Sequence, residues 1–318
     1  MKPNLNTLGP KLYGLTQFSR LGLFSKKFVI LDNKKSEREI VDALIKNGFK
    51  DKNQIAIRFS AKASDKKAIN LPFHLGKFSL KKAAQTIFGE IKKDPQLIPY
   101  VHELIIPIAT CHLYYDRKTI IIEIWPGIGA FRKKILNLPP DMIEIKEKIK
   151  IYRYLKKRKV EDVNSKIYNA QPFKSHYLVR IAQKINNMKS RLDILLNQFN
   201  PLLCDFFIET NFQLEFTSIQ KIDKFKTKIG LEDKDYYIAK SLKDLEGYDS
   251  SKKLFFDIPL SRKGEDWVKV FYLLKNIPVV YTRSLTMHLS IILREFGIEV
   301  RRVTINDEYE VKELSVKK

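Results

Sequence analysis

The feature that most constrains this chain is its repeated switch between two hydrophobic periods. Residues 36–48 (SEREIVDALIKNG) and 79–93 (SLKKAAQTIFGEIKK) each open on a capping Ser and carry apolar residues at helical spacing, and the first closes on Gly. Short apolar strands surround them: FVIL at 28–31, IAIRFSA at 55–61, YVHELIIPI at 100–108 and TIIIEIWPGIG at 119–129, the last two around the turn YYDRK. Such a chain has to lay amphipathic helices on a sheet. Further helical patterns fill 141–160 and 175–198, and FFIETNFQLEFTSI at 206–219 reads as a hairpin turning at Thr210-Asn211. After a charged stretch at 223–253, read as a linker with a short helix, comes a second alternating set: helix 264–275, strand 277–282, helix 286–296, strand 298–304. The predicted fold class is α+β, with a large domain over 1–222, a linker over 223–253 and a small α/β domain over 254–318.

Length and composition narrow the class. At 318 residues with 44% hydrophobic content, the chain can bury a sizeable core. It contains no apolar run long enough for a membrane-spanning helix, and its N-terminal residues lack the apolar centre of a signal peptide. Cys111 and Cys204 are far apart, which argues against a disulfide framework or a thiolate zinc site and suits a reducing cytoplasm. A formal charge of +23 favours anionic partners such as nucleotides, nucleic acid or acidic proteins. It is concentrated at 131–200, where 17 Lys/Arg stand against 6 Asp/Glu, densest in YLKKRK at Tyr154–Lys159. That run can be read as a polyanion-binding face, but without regularly interleaved aromatics or a nucleic-acid motif it reads more readily as the solvated surface of a Lys-rich protein.

His288 is the residue whose surroundings suggest chemistry. IPVVYT (277–282) is a β-branched strand, Thr286 is a plausible helix cap, and Leu289, Ile292, Leu293 and Phe296 share one helical face that Gly297 ends. His288 thus falls in a helix's first turn, where exposed N–H groups attract phosphate and disfavour imidazolium, leaving a neutral nucleophilic nitrogen. Local spacing alone also fits a surface histidine in a strand-to-helix turn.

The segment TMHLSIILREFGIEV resembles the T-S-H-A-A-I-x-x-R-E-L-G-I-P-x segment of the phosphoenolpyruvate synthase and pyruvate phosphate dikinase family, with His288, Arg294, Glu295, Gly297 and Ile298 matching at the same spacing. The departure is Ser284-Leu285, where the family has the Gly-Gly that lets backbone approach phosphate. Upstream stretches resemble the family's ATP-grasp nucleotide-binding domain in the same order. GPK at 9–11 is similar to G-G-K, and RFSAKASD at 58–65 to R-S-S-A-T-A-E-D. PFHLGKF at 72–78 is similar to the S-F-A-G-x loop, VHELI at 101–105 to V-Q-E-M-V, and IIIEIWPGIG at 120–129 to I-E-A-x-x-G-L-G. The resemblance implies that Lys11 and Arg58 hold the triphosphate of ATP, that Gly76 lies in a loop covering the nucleotide, and that Glu103 and Leu104 line the adenine pocket. Asp205 implies a magnesium ligand. An ungapped match puts Ser218 at the family's second metal ligand, whereas a two-residue shift puts Gln220 there; the family's arginine is matched in neither.

By resemblance, His288 would take a phosphoryl group from Mg-ATP and pass it on. No pyruvate-binding domain follows, so the acceptor is expected to be a separate subunit or a small molecule. Two other readings stay open: a catalytically degenerate nucleotide-binding subunit, and a protein whose basic face binds nucleic acid. The basic segment 131–200 has no counterpart in the resemblance.

Overall fold

The structure, a computed structural model, describes residues 5–61, 71–128, 138–161, 166–221, 229–231, 236–249, 251–258, 264–284, 290, 293–294, 297–304 and 308–315. In chain order the elements are α1 (Leu5–Arg20), β1 (Phe28–Ile30), α2 (Glu37–Lys46), β2 (Asn53–Ser60), β3 (Phe73–Phe78), α3 (Leu80–Lys93), β4 (Ile98–Glu103), β5 (Pro107–Tyr115), β6 (Ile120–Pro126), β7 (Asp141–Ile145), β8 (Lys148–Tyr154), β9 (Arg158–Glu161) and β10 (Ile167–Ala170). There follow α4 (Ser175–Asn187), α5 (Lys189–Leu196), β11 (Leu202–Glu209), β12 (Leu214–Lys221), β13 (Ile229–Leu231), β14 (Tyr236–Ala239), α6 (Leu242–Glu246), β15 (Lys253–Phe256), α7 (Gly264–Leu274), β16 (Val279–Thr282), β17 (Glu299–Thr304) and β18 (Tyr309–Ser315). The chain divides into two compact units: Met1–Ile106 with Cys204–Lys221, and Pro107–Leu203 with Ile222–Lys318.

In the first unit, β1, β4, β2 and β3 form an antiparallel sheet in that order. Ile55, Ile57 and Phe59 alternate along β2 into a core with Ile40 and Leu44 of α2 and Ala83 and Ile87 of α3. Both helices start where the sequence expects. Ser36 makes a full capping box with Glu39, and Ser79 accepts from Lys82 N–H, each contact contributing about 1 kcal/mol. Because the helices cover one face, the alternate positions of β2 and β4, including Arg58, Tyr100 and His102, lie on the other. The hairpin β11–β12 packs against α1, with Phe206 stacked on Phe216 at 4.8 Å and Phe18 at 5.4 Å from Phe216.

In the second unit, β5, β6, β7, β8 and β18 run antiparallel in that order. Strands β6 and β7 are buried along their whole length, with α4 laid on β7 and β8. A separate parallel sheet has the order β13-β17-β16-β15-β14. Its core face joins Leu254, Phe256, Val280 and Val300 to Leu245 of α6 and Leu274 of α7.

Three expectations are corrected. Residues 141–160 form strands β7, β8 and the start of β9 rather than a helix, because Met142, Ile143 and Ile145 pair across a two-residue turn with Tyr152, Ile151 and Ile149. The stretch 100–108 is broken at 104–106 between β4 and β5. The stretch 223–253 carries β13, β14 and α6, with β14 in the parallel sheet beside β15. In addition, β18, inside the region expected as a separate small domain, is zipped along β8 from Tyr309↔Tyr154 to Ser315↔Lys148.

Candidate functional site

Every residue that the sequence assigned to nucleotide or metal falls in the first unit, although they span positions 11 to 220. The closest juxtaposition involves the GPK stretch and the end of β2. Gly9 interrupts α1 with φ 71° and ψ 160°, a conformation essentially reserved for glycine. A Cβ there would lie 2.0 Å from the Ala61 carbonyl oxygen and 2.8 Å from Ser60 Oγ. Ser60 Oγ in turn donates to the Leu8 carbonyl at 2.6 Å. The lysine-bearing turn is therefore seated on the last residues of RFSA, some fifty positions away in sequence. Lys11 itself is exposed.

Arg58 lies partly buried on the face opposite α2 and α3, its guanidinium 5.8 Å from the centre of the Phe73 ring. No carboxylate among the described residues forms an ion pair with it. Glu123, the carboxylate of IIIEIWPGIG on β6, accepts Ser284 Oγ–H at 2.6 Å. Beside Arg58 in this face sits His102, which is 5% exposed and edge-on to Phe24. Its Nδ1 lies 2.7 Å from the Glu103 carbonyl. Burial, and then the Arg58 charge, push the imidazole down to about 3, so it is neutral and adds no competing positive charge. Sequence reasoning passed over His102; its apolar neighbours in YVHEL gave no sign of an adjacent arginine.

Gly76 is not in a loop. It lies in edge strand β3 opposite Ile55, with φ 147°. Glu103 ends β4, where its carboxylate meets Lys27 N–H at 3.3 Å and Lys27 Nζ at 3.8 Å. Leu104 N–H donates to the Gln54 carbonyl at 2.9 Å, continuing the β2–β4 ladder. The backbone donor at the expected adenine position is thus engaged within the sheet.

Asp205 is 4% exposed on β11, and its Oδ2 accepts the hydroxyl of Ser218 on β12. The fold therefore places Ser218, the ungapped counterpart of the second metal ligand, directly against Asp205. Gln220 lies two residues further along β12, and its side chain is outside the described residues. The loop after α1 holds the hairpin in place: Ser25 N–H and Oγ both donate to buried Glu215, and Lys26 pairs with Glu209 at 2.6 Å. Gly14 gives α1 its close approach, since a Cβ there would lie 2.7 Å from Ile219 N.

His288 and Thr286 lie outside the described residues. The flanks of that stretch are described. Ser284, 1% exposed, donates to Glu123 on β6, while its carbonyl accepts both Thr282 Oγ1–H and Ser290 Oγ–H. Arg294, of the matched R-E-F-G-I run, is pushed down to about 10 by burial, against the favourable charges of Glu123 and Tyr114. Arg283 forks onto Asp257 and reaches Glu308.

In the basic run one cation of four is buried, while Lys156, Lys157 and Lys159 are exposed. Arg158 is 2% exposed, paired with buried Asp141 at 2.6 Å and bonded to the Pro139 carbonyl at 3.1 Å. Lys156 meets Glu308 at 3.2 Å. Buried Cys111 and Cys204 are held protonated by burial, and among the described residues no group of three His, Cys, Asp or Glu can hold a metal by itself. No described helix is long and apolar enough to cross a membrane.

No family description matches the chain, and no curated protein does. Among solved structures it is similar to N5-carboxyaminoimidazole synthetase from Staphylococcus aureus, at 13% identity and a TM-score of 0.37 over 68% of this chain and 44% of that one. It is similar to D-alanine–D-alanine ligase from Bacillus anthracis at 10% identity and a TM-score of 0.35, over 69% and 59%. A macrocyclase bound with a precursor peptide, from Microcystis aeruginosa, gives 13% identity and 0.33, over 68% and 53%. The chain spans about half the length of these structures. None of the three is a phosphoenolpyruvate synthase or a dikinase.

Proposed function

We propose that the first unit binds Mg-ATP in the manner of an ATP-grasp domain and that the protein carries out ATP-dependent phosphoryl transfer. The observation that carries this reading is the seating of Gly9 on Ala61, which brings Lys11's turn to the strand end that follows Arg58. Arg58 is a half-buried fork beside a neutral imidazole, without a described carboxylate partner; its planar donors suit phosphate oxygens. In this reading Lys11, two residues after Gly9, adds a second cation, and Glu103 and Leu104 border the base. Magnesium binds through one or two carboxylates together with substrate phosphates, and the single buried carboxylate of Asp205 fits that requirement, with Gln220 as a further oxygen donor. Bound there, the ion would neutralise charge on the phosphates.

The finer reading assigns His288 as acceptor. Its neutral ring nitrogen attacks phosphorus, the P–N bond forms as the P–O bond to the departing nucleotide breaks, and the phosphohistidine then hands the group to a small molecule or a separate subunit. A second reading, a nucleotide-binding subunit without turnover, draws on one observation: Ser284 is buried on Glu123 where the resembling family has glycine.

One experiment tests the readings together. Wild type, Arg58→Ala and His288→Ala are incubated with magnesium and ATP labelled at the β- or γ-phosphate. Nucleotide binding is followed by thermal shift, and protein-bound label by its acid lability and base stability. Expected are label on wild type, none on His288→Ala with binding retained, and binding weakened roughly 10- to 100-fold in Arg58→Ala. Binding without label leaves the subunit reading and refutes transfer to His288; absence of binding refutes both.

A further inference from the structure

The start of α3 runs against the electrostatics of its own helix. A helix N-terminus carries partial positive charge and favours acids. Helix α2 follows this rule with Glu37 and Glu39 in its first turn, whereas α3 has no acid there and carries Lys81 and Lys82. A second local rule is broken close by. Lys52 sits at φ 64°, where Gly or Asn is the easier residue. Proteins break such local rules chiefly where function asks for a particular side chain.

These positions meet at one corner of the first unit. Lys52 N–H donates to the Phe78 carbonyl at 2.9 Å, Leu80 N–H donates to Asp51 Oδ1 at 2.7 Å, and Gln54 pairs with Lys77 in the β2–β3 ladder. The two stretches joined in this way, 50–54 and 77–82, hold five lysines and one acid. Lys50, Lys52, Lys77, Lys81 and Lys82 are all exposed, and among the described residues none of them forms an ion pair. The one acid, Asp51, is the acceptor for Leu80. The apolar residues of the corner, Phe78 and Leu80, pack inward on the core between sheet and helices. Since Phe78 faces that core, Lys77 points from the opposite face of β3, while Lys81 and Lys82 stand on the helix side. The cations therefore wrap round the corner instead of lying in one plane.

We propose that this corner binds double-stranded nucleic acid through its phosphates, independently of sequence. A duplex groove has phosphates along both walls, so cations on both sides of a corner are engaged together. A membrane surface would meet one side only, and the corner has no exposed apolar side chain to supply the second signal that stable anchoring takes. Single strands are held by stacking on rings, and no ring is exposed here. Lysine is depleted at protein–protein interfaces, which argues against an acidic protein. As a point charge it grips phosphate without carrying sequence information. None of the five lysines belongs to the nucleotide site, so the proposal stands apart from the ATP reading.

The test is fluorescence anisotropy on the full-length chain without ATP, using labelled DNA and RNA duplexes of equal length over a series of salt concentrations. Phosphatidylserine vesicles and polyglutamate serve as comparators. Expected is affinity that falls with salt at a log–log slope of about −0.9 per phosphate engaged, reaching about −4.5 for five on DNA. The two duplex arms show which helix is favoured. Lys81→Glu with Lys82→Glu should flatten the slope by about 1.8, while thermal stability holds or rises because acids suit a helix's first turn. Lys52→Gly should flatten it by about 0.9, again without loss of stability, since glycine suits the positive φ. Lys157→Ala with Lys159→Ala should leave the slope unchanged. Absence of salt-dependent duplex binding, folded corner variants that bind like wild type, loss confined to the Lys157/Lys159 variant, or tighter binding to vesicles or polyglutamate than to duplex would each overturn the proposal.

Discussion

Replacing Gly9 by alanine interrogates the joint on which the nucleotide reading rests. Two costs combine. At φ 71° and ψ 160° a side chain is strained by about 1–3 kcal/mol. The new Cβ would also sit 2.0 Å from a backbone oxygen, so α1 or the end of β2 must shift, which adds about 1–3 kcal/mol as overpacking does. The sum is about 2–6 kcal/mol. Gly89 provides an internal control: it lies inside α3, and a Cβ there meets nothing within 4 Å. Gly89→Ala should therefore stabilise by about 0.5–1 kcal/mol through helix propensity alone. Urea unfolding of both variants, with Mg-ATP thermal shifts on each, separates the cases. If Gly9→Ala fell within about 0.5 kcal/mol of wild type, the scale of a neutral surface change, while Gly89→Ala behaved as expected, the seating of Gly9 on Ala61 would be refuted.

Three further outcomes are expected. Asp141→Asn strands the buried Arg158 charge and should cost about 3–5 kcal/mol, most of it recovered when Arg158→Met is added, as denaturant midpoints would show. The imidazole of His102 is held at about 3 in the folded state against an ordinary value near 6.5. The unfolded chain therefore takes up the proton first as pH falls; this group's contribution is complete above about 6.5 and fades as pH drops towards 3, with a slope of up to about 1.4 kcal/mol per pH unit that His102→Gln should abolish. Ser284→Ala removes a donor from buried Glu123 and should cost about 1–3 kcal/mol in thermal unfolding, with Ser284→Gly at least as costly.

Local signals carried α2 and α3 because Ser36, Ser79 and the helical apolar spacing all act within a few residues. The hairpin at 206–219 was legible for the same reason, as β11 and β12 pair across a short turn. The segment 141–160 was not. Its Lys and Glu content favours helix, and the turn at 146–147 holds Lys and Glu in place of Gly or Pro. The alternation of Ile143, Ile145, Ile149 and Ile151 was the strand signal, outweighed by composition. Strands β13 and β14 left no local trace, because parallel partners lie far along the chain: Ile229 pairs with Arg302. At the candidate site, residue types at Lys11, Arg58 and Asp205 could be read from sequence, but their surroundings could not. That His102 sits neutral beside Arg58, and that Ser218 meets Asp205, depends on which strands become neighbours.

The first unit is interrupted in sequence: its hairpin at 204–221 is made only after residues 107–203. At about 5–20 residues per second, ribosomal synthesis separates the two pieces by roughly 5–20 s. Helix formation takes about a microsecond, so α1 waits through that interval without the strand that Gly14 is shaped to receive. Leu15 and Phe18, 1% and 0% exposed in the finished fold, meet water or a chaperone first. Nascent chains stalled before residue 204 should therefore be captured by a holdase, and those stalled well after 221 should not.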